Sequence, residues 1–289
     1  MKRYKPIIDD WQKFKEYSEK HQQPAVRKNP LKAGEDFEEK LGKRFEFEQT
    51  DWNQNVYRVD TEKPGKSRLQ WRGDYYVQEE SAALPVDILD PQPGETILDM
   101  CSAPGGKTTQ IAARTDNSAE IIANDDSHNR IQSLQMNLYR TGSAAVTVTN
   151  YDGRHLPEDR KYDRILLDAP CTGEGDRYRK TFESANEGEI AELSQLQKEL
   201  IEKAAKLLKE KGTLVYSTCT INPGENEEVV KHAIENTDLE TEEIESDIEH
   251  VRGVQNFEEK EYGSEMNDTV RVYPHHFNSG VIFVAKLTK

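Results

Sequence analysis

The chain has 289 residues, a formal net charge of −15 and three cysteines. That length holds one large α/β domain with a small appendage. Three widely spaced cysteines exclude a disulfide framework, and with no Cys-x-x-Cys pair and no histidine cluster in the sequence a zinc site is not expected. No apolar run approaches the roughly 18 residues of a membrane helix, and Met1-Lys2-Arg3-Tyr4 opens without an apolar signal core; a cytosolic protein with free thiols is expected.

Residues 1–72 carry 17 Lys/Arg against 13 Asp/Glu, a local excess of +4, whereas 225–265 carry 3 against 15, or −12. The acidic run reads as a solvated helix face and loop. In the basic front, Trp11, Phe14 and Tyr17 lie three apart on one helix face, and Phe37 and Leu41 mark a second helix. Residues 45–48 and 56–59 alternate as strands. Residues 1–72 therefore form a small α+β module, whose Arg27, Lys28, Lys32, Lys43 and Arg44 offer cations for phosphates. A second domain, 73–289, begins with a helix at 81–89 and a turn at 91–94.

From Thr96 strands and helices alternate. Strands are predicted at 96–100, 120–124, 145–149, 163–168 and 213–218, and helices at 106–114, 127–141, 189–210 and 225–236. The tail, 271–274 and 280–285, reads as a closing hairpin. This alternation predicts a mostly parallel sheet with helices on both faces, with ligands at the carboxyl ends of the strands.

Cys101-Ser102-Ala103-Pro104-Gly105-Gly106-Lys107 follows the first of these strands and opens a helix. Its glycines let backbone approach a ligand, and the helix start offers free N–H groups. Lys107-Thr108 lacks the spacing of a P-loop. Asp125 ends the next strand, where an acid suits a ribose diol, and Asp152 follows the third. Acids at successive strand ends point to a nucleoside-containing cofactor. Asp168-Ala169-Pro170-Cys171 and Tyr216-Ser217-Thr218-Cys219 then place two thiols at the ends of two further strands, with an acid beside the first. Such a pair reads as a covalent site rather than packing.

Three ordered strings, LDMCSAPGGKT (98–108), DAPCTGEG (168–175) and YSTCTINPGENEE (216–228), with QEE at 78–80, resemble the RNA cytosine-5 methyltransferases of the Nol–Nop–Sun (RsmB-like) type. The resemblance covers about residues 70–289, and the layout of 1–70 is similar to that family's small N-terminal RNA-binding module. It implies a Rossmann-like class I methyltransferase with a seven-stranded, mostly parallel sheet. It implies S-adenosylmethionine as cofactor, held by the 101–107 loop, Asp125, Arg130, Asp152 and Asp168, with Cys101 lying against it through its backbone. The acceptor it implies is carbon 5 of cytosine in RNA. In compactness the chain is similar to archaeal tRNA-type members, so tRNA is the expected substrate, rRNA the alternative, and a monomer the expected state.

The chemistry explains two thiols. Carbon 5 of cytosine is a poor nucleophile until a thiolate adds to carbon 6. The resemblance assigns that attack to Cys219 and the release of the product to Cys171; spacing alone leaves the reverse open. Lys107 can supply positive charge to the thiolate, and Asp168 can bond the amino group and ring nitrogen of the base. Tyr75, Tyr76, Tyr178 and Phe182 are candidates for stacking an unstacked base, and Arg177, Arg179 and Lys180 for holding phosphates. A non-catalytic RNA-binding assembly factor would not need both thiols and a complete cofactor loop.

Overall fold

The computed structural model describes residues 1–175 and 185–289. Tyr178, Phe182, Arg177, Arg179 and Lys180 lie outside the described residues.

The N-terminal part contains α1 (Trp11–Glu19), β1 (Ala25–Lys28), α2 (Phe37–Gly42), β2 (Phe47–Gln49), β3 (Val56–Val59), α3 (Arg68–Arg72) and β4 (Tyr75–Val77). Its strands form an antiparallel sheet in the order β2-β3-β1-β4 around Val26, Phe37, Leu41, Tyr57, Val59 and Tyr75. The closing strand β4 lies beyond residue 72 because Val26 to Lys28 pair with Val77 to Tyr75. Residues 2–19 leave this sheet altogether, and Tyr4, Ile8 and Phe14 bury themselves in the core of the large sheet.

The large domain runs α4 (Leu84–Leu89), β5 (Thr96–Asp99), α5 (Gly106–Arg114), β6 (Glu120–Asn124), α6 (His128–Thr141), β7 (Val146–Thr149), β8 (Tyr162–Asp168), α7 (Glu187–Leu207), β9 (Leu208–Thr218) and α8 (Glu227–Asn236). There follow β10 (Glu240–Glu242), β11 (Val251–Arg252), β12 (Asn256–Phe257), β13 (Lys260–Glu261), β14 (Val270–Val272), α9 (Pro274–Phe277) and β15 (Ile282–Thr288). The sheet order is β11-β14-β15-β9-β8-β5-β6-β7, with β10 paired to β15. Strands β7, β6, β5, β8 and β9 are mutually parallel, and β15 runs antiparallel to both β9 and β14. Six of the seven principal strands therefore point one way, and the short β10 and β11 extend the sheet to nine.

Side chains alternate across this sheet, as the period of a strand requires. Leu98, Met100, Ile165, Leu167, Leu214, Tyr216 and Phe283 face α7, α8 and the N-terminal segment. Ile97, Leu166, Val215 and Val284 face α4 and α5. Helix α7 stops at Leu207 rather than 210, because Leu208 is drawn into register with Tyr162.

The acidic run is not uniformly solvated. Glu225 and Glu227 are fully buried. Glu227 accepts from Arg271 Nε at 2.6 Å and Nη2 at 2.5 Å, and Arg271 is itself buried. Glu227→Gln would leave that guanidinium buried without its counter-charge, at a cost of about 3–5 kcal/mol. Urea unfolding at pH 7 checks this; a change below about 1 kcal/mol contradicts it.

The fold also gathers Asp9, His275 and His276, whose ligand atoms lie within 4.8 Å of one another. His276 Nδ1 accepts from Tyr273 N–H, so its proton sits on Nε2 facing Asp9, at 3.4 Å. That arrangement ties the N-terminal segment to α9 and leaves His276 Nε2 no lone pair for a metal. Among the described residues no helix is long and apolar enough to cross a membrane.

Candidate active site

The parallel strands β5, β6, β8 and β9 end side by side, and each feeds one group of chemically useful residues into the same region. After β5, Ser102 donates its N–H and its hydroxyl to Asn124 O on the neighbouring strand, at 2.8 and 2.9 Å. The loop continues through a cis Ala103–Pro104 bond to Gly105, whose φ of +104° suits glycine and whose close approach to Leu134 leaves no space for a Cβ. Gly106 and Lys107 then open α5, so their N–H groups lie at a helix start. Cys101 is half-buried, and burial pushes its thiol well above the ordinary value.

Asp99, beneath this loop, is almost inaccessible. The Thr108 hydroxyl donates to its Oδ2 at 2.6 Å, while Oδ1 has no partner among the described residues. Burial above all, with help from nearby Asp168, pushes the Asp99 pKa up to about 7. Because the folded pKa lies above the unfolded one, folding favours the protonated form. The stability it contributes is therefore fully present below about pH 4 and is lost as pH rises through about 7, by on the order of 4 kcal/mol at most. Asp99→Asn should remove that slope. Denaturation midpoints at pH 5 and pH 8 for both proteins test it; parallel pH dependence would contradict the assignment.

Asp125, after β6, is buried and accepts from Ala103 N at 3.1 Å and Ser127 N at 3.0 Å. Arg130 approaches it at 3.4 Å and also donates to Ala103 O. Asp125 and Arg130 thus brace the glycine loop from α6. Asp152 takes a different posture. It caps a short turn at Gly153–His155, and Arg154 forks its carboxylate, holding the acid down to about 2.

The two thiol loops meet. Cys171 Sγ lies 3.4 Å from Cys219 Sγ, although 48 residues separate them. Cys171 is half-buried and Cys219 exposed. The hydrogen bond from Cys171 holds Cys219 below its ordinary pKa, and Lys107 acts in the same sense against burial and Asp168. That same bond, with burial, pushes Cys171 well up. The two thiols are thus unequal: the shared hydrogen bond and Lys107 favour the anion on Cys219, while burial and that same bond favour the neutral thiol on Cys171.

Asp168 stands beside them. Its Oδ2 accepts from Lys107 Nζ at 2.8 Å, and its Oδ1 from Ser217 Oγ at 2.8 Å, a bond that the register of β8 against β9 dictates. Burial works against a charged Lys107, but Asp168 outweighs it and the amine ends above its ordinary value. Lys107 is therefore charged at neutral pH and stands against the Asp168 carboxyl group.

Several residues that the sequence reading passed over build this site. Glu225 accepts from Thr172 N at 2.8 Å, Thr172 Oγ1 at 2.6 Å and Gln197 Nε2 at 3.2 Å, while Gln197 also donates to Pro170 O. Asn226 donates to Thr220 O and bonds the Thr218 hydroxyl. The buried Glu225 carboxylate thus ties the Cys171 loop to the Cys219 loop, and Asn226 braces the Cys219 loop from within. Tyr4, from the chain start, donates to Glu174 Oε2 at 2.6 Å and accepts from Asn222 at 2.9 Å. For Thr172, Glu174, Asn222, Glu225 and Asn226 the only signal was position beside the cysteines; Tyr4 and Gln197 carried none.

Two sets of expected RNA contacts are corrected. Arg27 is buried, not exposed: alternation in β1 turns it with Ala25 toward α5, where it donates to Gly106 O and Thr109 Oγ1. Tyr75 is in the core of the small sheet with its hydroxyl on Pro64 O. Tyr76 is nearly covered and packs between Arg27 and Arg140 against Gly106.

The chain is similar to known methyltransferases. The tRNA (cytosine(49)-C(5))-methyltransferase of Pyrococcus abyssi is 37% identical over 290 residues, covering 98% of this chain and 93% of its own. The ribosomal RNA small subunit methyltransferase F of Shewanella loihica is 37% identical, covering 96% of this chain but only 58% of its own. A crystal structure of a methyltransferase homolog protein from Pyrococcus horikoshii superimposes with a TM-score of 0.86 at 33% identity, covering 96% of this chain and 90% of that one. Family and fold imply a methyl donor of the S-adenosylmethionine type. The model of the 16S rRNA methyltransferase RsmB/F family matches residues 86–288, and the chain belongs to that family.

Proposed function

We propose that the protein is a cytosolic RNA cytosine-5 methyltransferase that uses S-adenosylmethionine, acts on tRNA, and works through a covalent bond between Cys219 and cytosine. The observation that carries this reading is the polarised thiol pair, 3.4 Å apart, beside the Lys107–Asp168 ion pair. A methyltransferase acting on a reactive amine, oxygen or carboxylate has no need of two thiols at its acceptor site.

The 101–107 loop fits a nucleoside-bearing cofactor: backbone N–H groups at the start of α5, a tight left-handed turn at Gly105, and an Asp99 oxygen below it without a partner among the described residues. Residues 101–107, Asp125 and Arg130 would hold it, with Asp152 and Asp168 bordering it. When bound, it supplies an electrophilic methyl group on a sulfonium.

The Cys219 thiolate adds to carbon 6 of the base, and the displaced π electrons make carbon 5 nucleophilic. Asp168 accepts from the exocyclic amine and favours a protonated ring nitrogen, which draws electrons in the same direction. Lys107 pairs with the Asp168 carboxylate and, after the Cys171 hydrogen bond, favours the anion on Cys219. Once carbon 5 has gained its methyl group, Cys219 is a thioether, so the chief influence raising the Cys171 pKa has gone. Cys171 loses its proton to solvent, its thiolate takes the proton of carbon 5, and the carbon–hydrogen electrons rebuild the 5,6 double bond. Cys219 leaves as a thiolate, and Cys171 again carries a proton beside it. The balance is one methyl gained and one proton released.

The near end-to-end match to a tRNA enzyme favours tRNA. The family description and the Shewanella relative favour a second reading, rRNA, though this chain spans little more than half of that relative. Incubation with labelled S-adenosylmethionine and unmodified tRNA and small-subunit rRNA transcripts, followed by nucleoside analysis, separates the two. Labelled 5-methylcytidine in tRNA is expected; label in rRNA alone changes the substrate, and none in either overturns the reading.

A further inference from the structure

Among the described residues, three of the four exposed large apolar side chains stand on two helices that touch: Trp71 at 80%, Tyr139 at 86% and Met136 at 68% exposure. Trp71 is on α3 and the other two are one turn apart on the outer face of α6. The helices are fastened at this point. Arg140 Nη1 donates to Gln70 O at 2.9 Å and to Tyr75 O at 3.2 Å, and a Cβ on Gly73 would collide with Arg140 O. Trp71 and Tyr139 thus each flank the Gln70–Arg140 bond by one residue, on a rigid support.

The surrounding charge is unlike the rest of the chain. Residues 63–73 hold Lys63, Lys66, Arg68 and Arg72 and no acid; residues 127–151 hold no acid at all, in a protein of net charge −15. Lys32 lies against Gly142 at the end of α6. Asp74 pairs with Arg72 at 3.5 Å, but Lys32, Lys63, Lys66 and Arg68 keep the setting basic; exposed flat rings there suit unpaired bases on a phosphate chain, because every base has a face to stack and every phosphate needs a cation. Helix α6 begins beside Asp125 and runs about 21 Å, so the ridge leads outward from the cofactor end of the sheet.

We propose that Trp71 and Tyr139 form a stacking ridge for unpaired RNA bases, with Met136 between the solvent and the helix and Arg68 and Arg72 on the phosphates. It is a docking surface outside the pocket of the reacting base. The proposal rests on the reading of the substrate as RNA, but its test does not need methyl transfer.

The test is binding of a fluorescein-labelled 15-nucleotide single-stranded RNA and of the same sequence fully paired. Trp71→Ala and Tyr139→Ala should each weaken single-strand binding roughly five- to a hundredfold, with little effect on the duplex. Trp71→Phe should bind nearly as the parent protein while losing the quenching of tryptophan fluorescence that stacked RNA causes. Arg68→Gln and Arg72→Gln should each flatten the salt dependence by about one phosphate contact. Parent protein that binds RNA while both alanine variants bind it equally well overturns the ridge alone. Parent protein that binds no RNA overturns the ridge and the RNA reading together. A dimer in solution that Trp71→Ala dissociates, with RNA binding intact, assigns the face to a second copy of the chain and also overturns it.

Discussion

Replacing Cys219 with alanine is expected to abolish methyl transfer, by a factor of at least roughly 10⁴, because without the thiolate the base must react as an unactivated ring. Cofactor binding should persist, since the 101–107 loop is held by Asn124, Asp125 and Arg130 rather than by Cys219. Cys219→Ser would be nearly as inactive. An alcohol is far less acidic than a thiol, and neither the Cys171 hydrogen bond nor Lys107 brings it to an anion near neutral pH. Single-turnover transfer of labelled methyl groups reads both effects; a residual rate within tenfold of the parent would remove Cys219 from the first step.

Cys171→Ala is expected to do something different and equally large. Attack needs Cys219, Lys107 and Asp168, all of which remain, but carbon 5 keeps its proton and Cys219 cannot leave. Turnover should fall by several orders of magnitude, while a protein–RNA adduct that survives denaturing electrophoresis accumulates to about one per enzyme. Attack itself should slow somewhat, because Cys171 also donates the hydrogen bond that lowers the Cys219 pKa. The rate of adduct formation should therefore rise with pH more steeply than in the parent. Adduct formation by the alanine variant at 219, and none by that at 171, would reverse the two roles.

Much of this architecture is legible in the chain. Runs such as Ile121-Ile122-Ala123 and Leu214-Val215-Tyr216 are apolar over the length of a strand and flanked by helical periodicity, and strand-end loops carry the acids and thiols. What the chain hides is what depends on distant partners. Arg27 reads as a surface cation until β1 pairs and turns it against α5. Glu225 and Glu227 look like the rest of an acidic run, and only the arrival of Thr172 and Arg271, more than 40 residues away, makes them structural. The bond from Tyr4 to Glu174 spans 170 residues. Asp152 sits where the motif puts it, yet its neighbour Arg154 occupies its carboxylate. Local pattern determines elements and their ends; the polar interior is settled by topology.

The central claim is that Cys219 bonds to carbon 6 of cytosine, and RNA carrying 5-fluorocytidine tests it most directly. With fluorine on carbon 5 there is no proton to remove after methyl transfer, so Cys171 cannot complete release. The parent protein with S-adenosylmethionine should form a stable adduct, and peptide mapping by mass spectrometry should find it on Cys219. An adduct on Cys171, or methylated RNA with no adduct, would contradict the account.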